Sequence, residues 1–271
     1  MPACPACPRA CPPPEDLTVA RRRQTLSQNF LRHHATVERV VRSARLRPDD
    51  LVLEPGAGEG ALTGALARAS GRVVAYEIDR RLAARLRERV RPHPGVRVVR
   101  GDFTRVRPPA EPFAVVGNIP FARTTDIVRW CLASPGLTSA TLLTQLEYAR
   151  KRTGGYGRWT LLTVRTWPEH EWRLVSRVGR ECFSPSPRTD AALMRLVRRP
   201  QPLLPPGELA AYRELVALGF TGVGGSLAAS LARRYRIRQV RSAFRHQELD
   251  EATPVGLVSP EQWLRLFLDL A

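Results

Sequence analysis

Apolar positions along this chain switch between two spacings, and the switches mark its elements. Leu51-Val52-Leu53 is a short apolar run that reads as a buried strand. Ala61 to Ala69 follows as a helical stretch, and Arg72 to Tyr76 returns to strand. Arg80 to Val90 sets Leu82, Leu86 and Val90 four residues apart, on one face of a helix. Val96 to Val99 and Phe113 to Val116 predict two more strands, with a helix over Thr125 to Leu132 after the second. Leu142-Leu143, Leu161 to Val164 and Ala192 to Val197 are the runs left to supply the remaining strands. This alternation predicts an α/β fold, a mostly parallel sheet covered by helices on both faces.

Proline marks the ends of that pattern. Residues 1–16 repeat Pro-Ala-Cys-Pro and close with three prolines, so residues 1–20 are expected to be a disordered tail. Pro200 to Pro206 reads as a linker. Beyond it the spacing is helical over Glu208 to Leu218, Ser226 to Tyr235 and Pro260 to Leu270. Ser259 is a candidate N-cap for the last, with Pro260 at the first helical position. The chain thus divides into the tail, an α/β region over 21–199 and a small helical domain over 200–271.

With 43% hydrophobic residues in 271, the chain can bury a core. The longest uncharged stretch, Trp130 to Leu146, is broken by Ser134, Pro135, Gly136 and several threonines, so no membrane span is expected. The N-terminus lacks a charged-then-apolar signal pattern. Three of the five cysteines crowd into the first eleven residues, which argues against a disulfide framework. Cys4, Cys7 and Cys11 lack a fourth ligand and a nearby His, so no metal is predicted. These features imply a soluble, cytoplasmic protein.

Charge adds a partner. Lys and Arg number 43 against 25 acids, a net +18, and Lys151 is the lone lysine. Residues 21–47 carry eight arginines against one acid, and residues 150–199 twelve basic residues against four acids, while the middle is nearly balanced. A third cluster (Arg233, Arg234, Arg236, Arg238, Arg241 and Arg245) contains no acid. Coding bias toward arginine raises the total but leaves this uneven distribution unexplained. Guanidinium forks suit phosphates, so nucleic acid is the expected partner. No basic stretch has a strong apolar face, which disfavours a membrane surface.

The sharpest local signal is Glu54-Pro55-Gly56-Ala57-Gly58-Glu59-Gly60, between the first strand and its helix. Glycines there permit a tight turn and close approach of a ligand to the backbone. An ordinary strand–helix turn is the competing account, and two downstream acids weigh against it. Glu77 ends the next strand, where a carboxylate can hold ribose hydroxyls. Asp102 follows the third strand and can accept from an adenine amine. A nicotinamide enzyme would want Gly-x-Gly-x-x-Gly, whereas this chain has Gly-x-Gly-x-Gly. The acid opening the motif suits a cationic ligand, so S-adenosylmethionine is the predicted cofactor.

Gly117-Asn118-Ile119-Pro120-Phe121 follows the fourth strand. Adenine N6 is a poor nucleophile because its lone pair is delocalised into the ring. Hydrogen bonds from the amine to the Asn118 oxygen and a neighbouring backbone carbonyl would localise that pair toward an electrophilic methyl. Pro120 presets the loop, and Phe121 would stack on an extruded base. Asn118, Ile119, Pro120 and Phe121 are the candidate catalytic residues.

With these motifs in this order, the chain resembles the ribosomal RNA adenine-N6 methyltransferases, from about Arg23 to Val197 and more weakly beyond. That family includes the macrolide-resistance (Erm) enzymes and the small-subunit (KsgA-type) dimethyltransferases. Gln28-Asn29-Phe30-Leu31 is similar to the family's N-terminal signature. Gln145, Glu147 and Arg150 resemble a further element, and Phe183-Ser184-Pro185-Ser186-Pro187 a loop bordering the target base. The resemblance implies cofactor contacts from Asn29, Leu31, Gly56, Glu77, Asp102 and Asn118. It also implies a Rossmann-like, seven-stranded methyltransferase sheet followed by a small all-helical, RNA-binding domain.

Ile119, Phe121 and the Phe220-Thr221-Gly222-Val223-Gly224-Gly225-Ser226-Leu227 stretch are similar to actinobacterial resistance enzymes. They point to an unpaired adenine in large-subunit (23S) RNA and to macrolide-lincosamide-streptogramin B resistance. A small-subunit dimethyltransferase and a non-enzymatic RNA-binding assembly or transcription factor are the alternatives. The RNA contacts expected are Arg21, Arg22, Arg23, Arg150, Lys151, Arg152, Arg188, Arg233 and Arg234. A monomer acting on ribosomal RNA before assembly is complete is the expected form.

Overall fold

The computed structural model describes residues 29–271. The Cys/Pro segment, Arg21, Arg22, Arg23 and Gln28 lie outside the described residues.

Seven strands form one sheet. In chain order they are β2 (Leu51–Pro55), β3 (Arg72–Glu77), β4 (Val96–Arg100), β5 (Phe113–Asn118), β6 (Leu137–Gln145), β7 (His170–Val178) and β9 (Ala191–Arg198). A separate antiparallel pair joins β1 (Phe30–Leu31) to β8 (Phe183–Ser184), with Phe30 opposite Ser184. The main sheet runs β4-β3-β2-β5-β6-β9-β7. Its first five strands are parallel, while β9 and β7 are antiparallel to their neighbours. The chain builds outward from β2 through β3 to β4, then returns to place β5 on the other side of β2. That reversal opens a crevice beyond the carboxyl ends of β2 and β5, where ligands bind in such sheets.

Helices cover both faces, as the alternation predicts. On one face, α1 (His34–Ala44) and α2 (Ala61–Ala69) bury Val37, Val40, Ala44, Leu62 and Leu66 against Val52, Val116 and Leu193. On the other, α4 (Thr124–Ala133) sets Ile127, Val128 and Cys131 against Leu53, Val115 and Leu142. Between β3 and β4, α3 (Arg80–Arg89) packs Leu86 on Ala75 and Ala57. It starts cleanly because the Asp79 carboxylate accepts from the Arg81 and Leu82 N–H groups.

Two expectations are corrected. Leu161 to Val164 is not a strand but part of α6 (Leu161–Thr166), capped by the Thr160 hydroxyl. A four-residue apolar run does not distinguish strand from helix, and here Val164 is fully buried in the helical core. The strand at the sheet's edge is instead β7. Its alternation is hidden by charged residues and by a register shift between Leu174 and Ser176. Helix α5 (Leu146–Arg152) precedes this region.

The remaining helices are α7 (Leu209–Gly219), α8 (Leu227–Leu231), α9 (Ile237–His246) and α10 (Pro260–Leu270). The single helix expected over Ser226 to Tyr235 is therefore shorter, and the arginine cluster continues into a second one. Their core holds Tyr212, Leu215, Phe244, Trp263 and Phe267. The start of α10 is as the sequence predicts: Ser259 and Gln262 form a reciprocal capping box. Val164 belongs to this core, and the Tyr212 hydroxyl donates to its carbonyl at 2.9 Å. Helix α6 thus fastens the helical region to the sheet.

Candidate active site

The crevice holds a cavity of about 250 Å³ walled by residues from the ends of β2, β3, β4 and β5 and from β1. The glycine turn sets its floor. Gly56, Gly58 and Gly60 all have positive φ, at 68°, 56° and 80°, which side-chain-bearing residues rarely adopt. A Cβ on Gly58 would also lie 2.9 Å from the Phe30 ring, so glycine is what lets β1 fold across the turn.

Glu77 locks this turn. Its carboxylate is 2% exposed and accepts from the Gly58 N–H and the Asp79 N–H, both at 2.8 Å. Burial pushes its pKa up, and the backbone donors partly offset that. Two N–H partners leave lone pairs for a third donor. Asp102 behaves differently. Burial pushes its carboxyl up, but hydrogen bonds from Thr104 and the Arg123 guanidinium outweigh this and hold it below the usual range. Thr104 donates to Oδ1 through its N–H at 2.9 Å and its hydroxyl at 2.7 Å, and Arg123 Nη2 lies 3.2 Å from Oδ2.

Glu54 is corrected. Although it opens the glycine motif, it is absent from the cavity wall, and the Thr63 hydroxyl donates to it at 2.6 Å within the core. Burial first, with the nearby Glu77 charge adding to it against the Thr63 bond, lifts its pKa to about 8. Largely protonated at neutral pH, it is no counter-ion for a cationic ligand.

Asn118 ends β5. Its Nδ2 donates to the Asn29 carbonyl at 2.7 Å. That bond fixes which way the amide points, turning its oxygen away from Asn29 as an acceptor. Gly117 before it packs flush on Pro55: a Cβ there would come within 3.0 Å of that ring. Pro120 then turns the chain, and its carbonyl accepts from the Arg123 N–H.

Of the sequence-predicted residues, Asn29, Gly56, Glu77, Asp102, Asn118, Ile119 and Pro120 share this one cavity. The Ile119 side chain is 2% exposed and packed in the core, so only its backbone is available for chemistry. Leu31 and Phe121 are not among the walls. Leu31 is buried in the α1–α2 core, and the Phe121 ring is half-buried against that core. Sequence reasoning missed Phe30, Ile78, Phe103, Thr104 and Arg123. Ile78 carried a readable signal: it is an apolar residue between two acids at a strand end, and it is 52% exposed beside the cavity. Phe103 stands on an aromatic stack, 5.4 Å from Tyr76 and 4.3 Å from Trp130 between ring centres.

The predicted RNA contacts divide. Arg150, Arg188 and Arg233 are exposed, Arg150 lying over the Tyr156 ring. Lys151 pairs with Glu147 at 2.7 Å and Arg234 with Glu214 at 2.9 Å. Arg152 turns inward instead: it donates to the Thr160 hydroxyl and lies over the Tyr148 ring, so it braces α5 against α6. Arg188 shares a shallow hollow with Tyr156, Arg177 and Arg180.

Comparisons with known proteins agree with one another. The sequence model described as "Ribosomal RNA adenine dimethylase" matches residues 19–271. An "rRNA adenine N-6-methyltransferase" of Streptomyces fradiae is 55% identical over 252 residues, 92% of this chain and 79% of that one. The "Mycinamicin-resistance protein MyrB" of Micromonospora griseorubida is 36% identical over 245 residues, 90% of this chain and 78% of that one. A crystal structure of "23S rRNA methyltransferase ErmE" superposes with a TM-score of 0.87 at 52% identity. It covers 89% of this chain and 99% of that one.

Proposed function

The chain belongs to the ribosomal RNA adenine dimethylase family, and on that premise we propose that it transfers a methyl group from S-adenosylmethionine to N6 of an unpaired adenine in large-subunit (23S) ribosomal RNA. The resulting modification confers macrolide-lincosamide-streptogramin B resistance. The observation that carries this reading is the Asn118 amide, held by the Asn29 carbonyl at the wall of a cavity lined by Glu77 and Asp102.

The donor set fits the cofactor. Glu77 has acceptor capacity for ribose hydroxyls, Asp102 would accept from a ring amine, and Ile78 and Phe103 add apolar surface to the wall that would hold an adenine. When bound, S-adenosylmethionine supplies an electrophilic methyl carbon on a sulfonium. Everything else falls to the chain. The Asn118 oxygen and the Ile119 carbonyl accept from the target amine and pull its lone pair out of conjugation as nitrogen attacks carbon. The amine nitrogen would take up the methyl, the carbon–sulfur electron pair staying on sulfur, and the amine proton would pass to water. Phe121, outside the cofactor cavity, stacks on the extruded base. Preset acceptors of this kind act in the transition state, so their contribution belongs in kcat.

No helix among the described residues is long and apolar enough to cross a membrane. We place the protein in the cytoplasm, working as a monomer on RNA that is not yet fully assembled into ribosomes. The deciding measurement is transfer of tritiated methyl to unmodified ribosomal RNA, with the labelled adenine mapped. Expected is one labelled site in 23S RNA and reduced macrolide sensitivity in a sensitive host. Label confined to an adenine pair in the small subunit, with unchanged sensitivity, would overturn the resistance reading and favour the KsgA-type activity.

A further inference from the structure

The two basic zones of the sequence meet in the fold, away from the cavity. Arg39, Arg42 and Arg45 come from α1 and the residue that ends it, Arg173 from β7 and Arg195 from β9, and together they line a hollow of about 290 Å³. Arg173 and Arg195 are register partners on neighbouring strands. The acid at hand is Glu171, which is already paired with Arg173. Charge is therefore concentrated rather than balanced.

Two features mark the hollow as incomplete without an anion. The Nε atoms of Arg39 and Arg195 are buried with no hydrogen-bond partner among the described residues, although buried donors are normally satisfied. Burial, then the charges of Arg45 and Arg173, lower the Arg195 pKa against the pull of Glu171. Arg45 ends α1 as its left-handed cap, at φ 54°, with its N–H donating to the Arg42 carbonyl. Arg195 is held in place by its bond to the Ala44 carbonyl at 3.1 Å. The Arg195 guanidinium is thus pre-positioned.

We infer that this hollow binds phosphodiester groups of the RNA substrate, at a distance from the reacting adenine. Guanidinium forks match phosphate geometry. Helix α1 starts three residues after β1, whose Phe30 walls the cavity, and its eleven residues extend about 16 Å. An RNA segment flanking the extruded adenine can follow α1 from the cavity to the hollow. The inference deepens the proposed function and rests on it only for the identity of the RNA.

The test pairs two charge-matched variants: R42Q/R173Q in the hollow, and R80Q/R87Q on α3 near the opposite sheet edge. Binding to an RNA duplex lacking any target adenine is followed by anisotropy across a salt series. Each lost phosphate contact should flatten the log–log salt slope by roughly 0.7–0.9, the span from single strands to B-form duplexes. R42Q/R173Q is expected to lose about two contacts and at least tenfold in affinity, while R80Q/R87Q and the cofactor affinity of both variants stay at the wild-type value. Equal slopes for the two variants would overturn the inference. So would displacement of the duplex by inorganic phosphate at fixed ionic strength, which would assign the hollow to a small anion. Methyl transfer is measured alongside: KM for long RNA should rise in R42Q/R173Q with kcat unchanged. A wild type that methylates no RNA but keeps the slope difference would overturn the proposed reaction and leave the hollow standing.

Discussion

The cavity at the strand ends and the arginine hollow beside α1 are built on opposite principles. In the cavity, charged groups are few and already satisfied: Glu77 takes two backbone N–H groups, and Asp102 takes Thr104 and Arg123. The hollow is made of like charges, and two buried donors there lack partners among the described residues. The cavity is shaped by backbone, through glycines with positive φ and a proline turn, so its geometry is set before a ligand arrives. The hollow is shaped by long side chains and completed by what it binds. A site of the first kind suits chemistry, which needs acceptors fixed within fractions of an ångström. A site of the second kind suits a polyanion that must be held but not read.

Substitutions should separate the two accordingly. Asn118→Ala is expected to cut kcat by about 10²–10³-fold with cofactor affinity nearly unchanged. A raised cofactor Kd with normal kcat would make Asn118 a binding residue and erase its transition-state role. Gly58→Ala places a side chain at φ 56° and against Phe30. It should lower stability by about 1–3 kcal/mol and weaken the cofactor with it, read by thermal melts and calorimetry. A fully stable variant would mean the turn is less constrained than its backbone indicates. Asp102→Asn should weaken the cofactor about tenfold, the scale of one charge-assisted hydrogen bond, with RNA affinity unaffected. An equal loss in both would show that the two regions are coupled.

A last effect, on pH dependence rather than on affinity, belongs to Glu54. Its folded pKa of about 8 lies above the ordinary 4.5, so between those values the folded chain holds a proton that the unfolded chain has released. Stability should therefore fall as pH rises through that window, by at most about 1.4 kcal/mol per pH unit. Glu54→Gln should flatten the slope in denaturant titrations at pH 6, 7 and 8. A variant with the wild-type slope would show that Glu54 is already ionised in the folded chain.

Much of the cavity was legible because its parts are local. A glycine turn after a strand, an acid at the next strand's end and Asn-Ile-Pro-Phe after a fourth each carry their own backbone reason, and their order fixes where a switch-point crevice brings them together. The Ile119 and Leu31 side chains turn into the core, and a motif position does not say whether backbone or side chain faces the ligand. Arg123 gave no warning, since its reach to Asp102 spans two separate loops. Arg152 is expected among the RNA contacts but turns inward, and nothing nearby in sequence announces Thr160 or the Tyr148 face as its partners.

By itself the sequence determined the α/β order, the glycine turn, the Asn-Ile-Pro-Phe loop after the fourth strand and the excess of positive charge, all properties of consecutive residues or of their sum. Tertiary structure alone decided the rest. It made Leu161 to Val164 a helix because a helical core was there to receive Val164. It neutralised Glu54 by burying it beside Glu77. And it gathered Arg39, Arg42, Arg45, Arg173 and Arg195 from zones more than a hundred residues apart into one hollow. Burial and long-range proximity are set by packing, and packing is where a linear pattern stops carrying information.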